Sequence, residues 1–158
     1  MRLTKTILLA LAAVLMNACG DGGQQERNVP EAMPSGETSA ELGDYIVHYN
    51  AMTTDQLTPE VAQGTDIVRS RNRAMLNVSF VEKTTGRTVE GAVDVSATNL
   101  TGQTKNITMR EVRDAEAVYY IGEVPVAHRE TLVFNIEATP PGADQPAMLR
   151  FRRQFFTD

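Results

Sequence analysis

Residues 42–158 predict an all-β fold: an immunoglobulin-like two-sheet sandwich of about 7–8 short strands, with one short helix near residues 59–63. Three observations carry this prediction. Apolar and polar residues alternate with a period of two in several separate runs. Thr-Gly pairs stand between those runs where hairpin loops belong. A single capped, proline-led turn is the one helical signal in the segment.

The strands follow in order. A first is expected at Tyr45–Asn50, and a second at Asp66–Arg71. Leu76, Val78 and Phe80 then alternate with Asn77 and Ser79, which puts one face in a core and the other in water. Val93, Val95 and Ala97 repeat the pattern, as do Leu132, Phe134, Ile136 and Ala138. Further strands are expected at Asn106–Val112, Ala117–Val124 and Met148–Phe156, the last with Leu149 and Phe151 pointing inward between arginines. Thr85-Gly86 and Thr101-Gly102 suit hairpin loops. The helix is expected over Pro59–Gln63. Thr58 can cap it, proline fits its first position, Glu60 complements its positive end, and Gly64 ends it. Glu116-x-Val118-x-Tyr120 has the spacing of a tyrosine corner, in which the hydroxyl bonds backbone upstream. A tyrosine simply packed on a strand is the alternative.

Residues 1–18 read as a lipoprotein signal. Arg2 and Lys5 make a positive start, and Ile7 to Met16 form an uncharged apolar run too short to span a bilayer. Met16-Asn17-Ala18-Cys19 resembles a lipobox, with Met16 where leucine is usual. Cys19 is then the expected site of lipidation, by a thioether to a diacylglyceryl group and acylation of the freed amine. Two or more chains hold a protein stably to a membrane. Gly20 behind the cysteine favours the outer membrane under the sorting rule of enteric bacteria. The expected location is therefore the periplasmic face of the cell envelope. Residues 19–41 are rich in Gly, Gln, Glu, Pro and Ser and read as a tether.

Charge and composition narrow the function. Removing Arg2 and Lys5 with the signal leaves 13 of the 15 basic residues against 20 acidic ones, a net charge of −7. That excludes a nucleic-acid binder, which needs a clustered basic surface. With Cys19 lipidated, no cysteine remains for an intramolecular disulfide, so the fold must rest on its core. No G-x-S-x-G, H-E-x-x-H or P-loop motif occurs, so no catalytic residue is expected. Three Asn-x-Ser/Thr triplets begin at Asn77, Asn99 and Asn106 and read as strand and turn chemistry.

Two candidate sites remain. Arg69, Arg71 and Arg73 would share one face of a strand and could clamp an anionic envelope polymer, since guanidinium grips carboxylate and phosphate bidentately. The alternative is a solvated edge whose charge discourages aggregation. Arg150, Arg152 and Arg153 have the same ambiguity. His48 and His128 lack metal-ligand spacing, and Met52, Met75, Met109 and Met148 are scattered. Copper handling through His and Met is therefore the second function kept, with no cofactor and no metal ligand assigned. The first is a non-catalytic binding module that engages a protein or an anionic envelope polymer.

Several ordered motifs also resemble a known family. They are Gly43-Asp44-Tyr45-x-Val47-His48-Tyr49-Asn50, Leu57-x-Pro59-Glu60-x-Ala62, Arg69-Ser70-x-Asn72-Arg73 and Asn99-Leu100-x-Gly102-Gln103. Tyr119-Tyr120, Arg129-Glu130-Thr131-Leu132 and Phe151-x-x-x-Phe155 complete the set. Together they resemble the domain of unknown function 4426 (DUF4426) family of Gram-negative envelope proteins. The resemblance implies a small exported β-sandwich and carries over no catalytic or binding residue. The lipobox and tether depart from the ordinary signal of other members.

Overall fold

The computed structural model describes residues 38–158. The signal, Cys19 and the tether up to residue 37 lie outside the described residues. Ten strands form two antiparallel sheets. In chain order they are β1 (Ser39–Leu42), β2 (Tyr45–Thr53), β3 (Arg73–Glu82), β4 (Thr88–Val89) and β5 (Ala92–Asn99), then β6 (Thr104–Ile107), β7 (Arg110–Asp114), β8 (Ala117–Pro125), β9 (Thr131–Thr139) and β10 (Ala147–Gln154). One sheet has the order β1-β2-β3-β8-β7, with β4 added beside β3; the other has the order β10-β9-β5-β6.

The period-two runs fall as their patterns require. Leu76, Val78 and Phe80 on β3 and Leu132, Phe134, Ile136 and Ala138 on β9 are fully buried. Leu149 and Phe151 point inward from β10. Phe151 stacks on its β9 neighbour Phe134 at 4.8 Å, and the Tyr49 ring of β2 meets it at 5.1 Å from the opposite sheet. Offset aromatic contacts of this kind add about 0.5–1.5 kcal/mol to the burial itself. Helix α1 (Pro59–Gly64) is where it was expected, and the Thr58 side chain accepts from Val61 N at 3.3 Å. Gly86 and Gly102 lie in the two expected hairpin loops with φ of 67° and 86°, values that favour glycine.

Three expectations need correction. Residues 66–71 form no strand. Asp66 turns with φ 53°, and the segment from Thr54 to Asn72 leaves the sheet altogether. It lays Leu57, Ala62 and Ile67 on the outer face of the first sheet, over Met75 and Ile121. Buried Thr54 ties this excursion down: its Oγ1 lies 2.9 Å from Val68 O and 3.1 Å from Ser70 O, and accepts from Ser70 N at 2.8 Å. An apolar second layer therefore stands in place of the strand expected at 66–71.

The strand expected at 106–112 is two strands in different sheets, with the chain crossing over at Thr108-Met109. The crossing passes over Gly122 of β8. A Cβ there would stand 2.5 Å from Ile107 Cγ2 and 2.6 Å from Met109 Sδ. The domain also starts at Ser39, because β1 pairs with β2 in the stretch assigned to the tether. The Tyr120 hydroxyl donates to Gly91 O at 2.7 Å and accepts from Gly91 N at 3.0 Å. The hydroxyl thus bonds upstream backbone as the corner spacing implies, and its partner lies 29 residues away.

The two glycines Gly122 and Gly64 should respond oppositely to alanine. Gly122→Ala forces β8 against the crossing and should cost about 1–3 kcal/mol. Gly64→Ala, in open space with an ordinary helical backbone, should gain about 0.5–1 kcal/mol. Urea melts of the two variants give the signs.

Candidate anion-binding face

The two arginine groups expected from the sequence have different fates. Arg69 lies in the excursion, Arg71 in the turn before β3, and Arg73 opens β3, so the three do not alternate along one strand. Each is also occupied. Arg69 Nη2 donates to Asp55 O at 2.7 Å, and Arg71 Nε lies 3.7 Å from Asp55 Oδ2. Arg73 Nη1 pairs with Glu123 Oε2 at 3.3 Å. Arg87 is likewise paired with Glu116 and Arg113 with Glu90 and Glu111, while Arg110 donates to Thr65 O. Both described lysines have carboxylate partners, Glu41 and Glu130.

Among the described residues, the cationic side chains left without a hydrogen-bond or ion-pair partner are Arg129, Arg150, Arg152 and Arg153. They cluster at one end of β10. Phe151 and Leu149 point into the core, so Arg150 and Arg152 point out from the second sheet, about 7 Å apart. Arg150 Nε is buried with no partner. A buried guanidinium N–H without an acceptor is costly and needs an explanation. Arg152 and Arg153 are exposed.

The pairing register extends this edge into a face. Arg150 stands opposite Asn135, then Ser96, then Asn106. Arg152 stands opposite Val133, then Thr98, then Thr104. At the other end of the face, Met148 is followed by Glu137 and Asp94. The outer face thus runs from acidic to cationic, with neutral hydrogen-bonding side chains between. Such a surface can take a linear anionic chain: guanidinium forks on its charged groups, amides and hydroxyls on its oxygens.

The cationic end is held by a half-buried polar network. Lys105 Nζ lies 2.7 Å from Glu130 Oε1 and donates to Pro125 O at 2.8 Å. Glu130 also accepts from Ala127 N at 2.9 Å and from Asn99 Nδ2 at 3.2 Å. Asn99 Oδ1 meanwhile accepts from Thr101 N and Gln103 N and shapes the β5–β6 hairpin. The Glu130 loop then binds the end of β10, through Phe155 N to Glu130 O at 2.9 Å and Gln154 Nε2 to Arg129 O at 3.2 Å. Burial pushes the Glu130 carboxyl up, but the bonds from Lys105, Ala127 N and Asn99 outweigh it and hold the pKa below the ordinary carboxylate value.

The histidines stand apart. His48 is exposed on β2, beside Asn50, Asn77 and Ser79, in a shallow depression of 210 Å³, where Asn77 Oδ1 is buried without a partner. His128 lies beyond β8, with Nδ1 2.9 Å from Asp158 Oδ1 and 3.3 Å from Thr157 N. Among the described residues, no group of three or more His, Cys, Asp or Glu could hold a metal ion, and no helix is long and apolar enough to cross a membrane.

Comparison with known proteins gives one family and a set of solved folds. The family model described as Domain of unknown function (DUF4426) matches residues 39–158. The crystal structure of a DUF4426 family protein from Pseudomonas aeruginosa PAO1 is 36% identical. The match covers 78% of this chain and 97% of that one, with a TM-score of 0.67. FetP from uropathogenic Escherichia coli strain F11, recombinantly expressed in the periplasm of E. coli, is 11% identical. There the match covers 77% and 94% of the two chains, with a TM-score of 0.52. A copper-bound variant of FetP is 10% identical, with coverage of 76% and 95% and a TM-score of 0.50. The FetP likenesses show the fold alone. No match was found among curated proteins.

Because the Glu130 pKa is depressed in the folded chain, its stabilisation is present above the unfolded carboxylate value, about 4.3, and is lost as pH falls through the folded value. Glu130→Gln should cost about 1–3 kcal/mol at pH 7. It should also flatten the decline in the denaturation midpoint between about pH 5 and pH 3. Urea melts of the two proteins across that range test both.

Proposed function

The chain belongs to the DUF4426 family, and on that premise we propose that it is a non-catalytic binding module of the cell envelope whose β10 face holds an anionic envelope polymer. The lipidated Cys19 and the tether anchor it on the periplasmic side, at the outer membrane. One observation carries the reading of the face: the described arginines that lack partners are gathered on and beside β10, and Arg150 Nε is buried with none. A fold-only explanation would give these arginines carboxylate or backbone-carbonyl partners, as it does the others. Keeping them free in a strongly acidic chain maintains a local site for anions. The Asn, Ser and Thr rows beside them match a polymer that carries hydroxyls as well as charges.

Copper handling is the second reading. A copper-bound protein of the same fold and the His48 depression with its unpartnered Asn77 Oδ1 favour it. It requires a stoichiometric, sub-micromolar Cu(I) complex that His48→Ala or His128→Ala weakens.

The polymer reading is tested by titrating the full chain with lipopolysaccharide and with soluble peptidoglycan fragments at several salt concentrations. Arg150→Ala with Arg152→Ala should lower affinity about tenfold per arginine and flatten the salt dependence. Arg69→Ala with Arg71→Ala should leave binding unchanged. Equal loss in both double variants would contradict the assignment.

A further inference from the structure

We propose that β7 is a pairing edge for a second copy of this chain. The strand ends the first sheet, with β8 on one side and, among the described residues, no strand on the other. Arg110, Glu111, Arg113 and Asp114 are exposed, and no backbone hydrogen bond outside the ladder to β8 involves these residues. Its outer row of N–H and C=O groups is therefore open to another strand.

The sequence of the strand selects the partner. Arg110-Glu111-Val112-Arg113-Asp114 reads, in charge, plus, minus, neutral, plus, minus. Read backwards, every sign is reversed. Two copies laid antiparallel with Val112 on the two-fold axis therefore place Arg110 opposite Asp114 and Glu111 opposite Arg113, each pair twice. Opposite charges directly across a ladder stabilise it, and like charges destabilise it. Other alignments are penalised. A parallel pairing in register sets every charge against its own kind. Moving the axis to Glu111 sets Glu against Glu, and moving it to Arg113 sets Arg against Arg. A self-complementary patch is what a closed two-fold dimer requires.

The side chains present are compatible with this arrangement. Arg113 already pairs within its own chain with Glu90 and Glu111, but it has further N–H donors for a facing carboxylate. Beside the strand lies a cleft of 330 Å³ that includes Val61, Val112 and Tyr119, and Val61 is half exposed. A facing strand would cover part of that apolar surface. A five-residue ladder is small beside the roughly 1,200 Å² of a stable complex, so the dimer is expected to be weak in dilute solution. Confinement of two copies to one surface raises their effective concentration and favours it.

Trapping on the axis tests the proposal in the full chain. Val112→Cys brings two thiols face to face, whereas Val68→Cys, on an exposed loop, shares the same Cys19 background without that geometry. Under mild oxidation, Val112→Cys should give a dimer linked 112 to 112, identified by mass spectrometry, at a rate well above that of Val68→Cys. Adding Arg113→Glu should lower the trapping rate about tenfold, because it sets two Glu pairs face to face. Adding Glu111→Arg as well should restore it, with thermal melts showing all variants folded. Equal trapping at positions 112 and 68 would overturn the dimer. Failure of the double charge reversal to restore trapping would overturn this register.

Discussion

The direction in which Phe151 points decides most of what this molecule presents to its surroundings. The ring lies on Phe134 within its own sheet and against Tyr49 from the other, so it closes the side of the sandwich where β2 faces β10. A strand has two faces, and fixing one fixes both. With Phe151 and Leu149 inward, Arg150 and Arg152 can only face out. A slip of one residue would drive two guanidinium groups into the core and expose the aromatic stack. The same packing that stabilises the domain therefore aims its free charges. Among the described residues no group of three or more His, Cys, Asp or Glu could hold a metal ion, whereas the unpaired guanidinium groups gather on and beside β10.

Much of the sandwich was legible in the residues because its central strands have one wet face and one dry face. β3, β5 and β9 show that contrast plainly, and Pro59 behind Thr58 marks the one helix. What could not be read was the second dry surface. Met75 and Ile121 face outward from their sheet, yet lie under Leu57, Ala62 and Ile67. A segment that covers a sheet looks, in sequence, like another strand of it, which is why 66–71 was misread. The break at Thr108-Met109 was hidden for a related reason: Ile107 and Met109 keep the alternation up to it, and only Val112 falls out of step once the chain has changed sheets. The room left by Gly122 becomes meaningful only once the chain known to cross it is in place.

The site was half legible. Both arginine groups were visible, but sequence cannot say which guanidinium finds a partner. Arg69 donates to the backbone carbonyl of Asp55 and Arg71 faces its carboxylate, some 14–16 residues away, and Arg73 pairs with Glu123, 50 residues away. The motifs that carry the family resemblance prove to be mostly architectural. Gly43 turns the first hairpin, Ser70 meets Thr54, Asn99 shapes a loop, Glu130 anchors another, and Phe151 and Phe155 fill the core. A chain can share all of these with its relatives and still differ from them on the β10 face, because nothing in the scaffold dictates which side chains stand there beyond their orientation.

The sheet order has a kinetic consequence. β3 pairs with β8 across some 50 residues, Tyr49 waits for Phe151, and the Tyr120 hydroxyl waits for Gly91. Contacts this distant in sequence make for slow folding, since long loops must close before any contact rewards them. β3 waits for β8 to complete its sheet, and Tyr49 lacks its opposite wall until the last strand is available. Such a polypeptide remains an open thread for longer than a helical bundle of equal length would. Slow closure is a liability where strands can meet strangers, but under the envelope location proposed above it suits a chain that passes through a narrow pore before it folds.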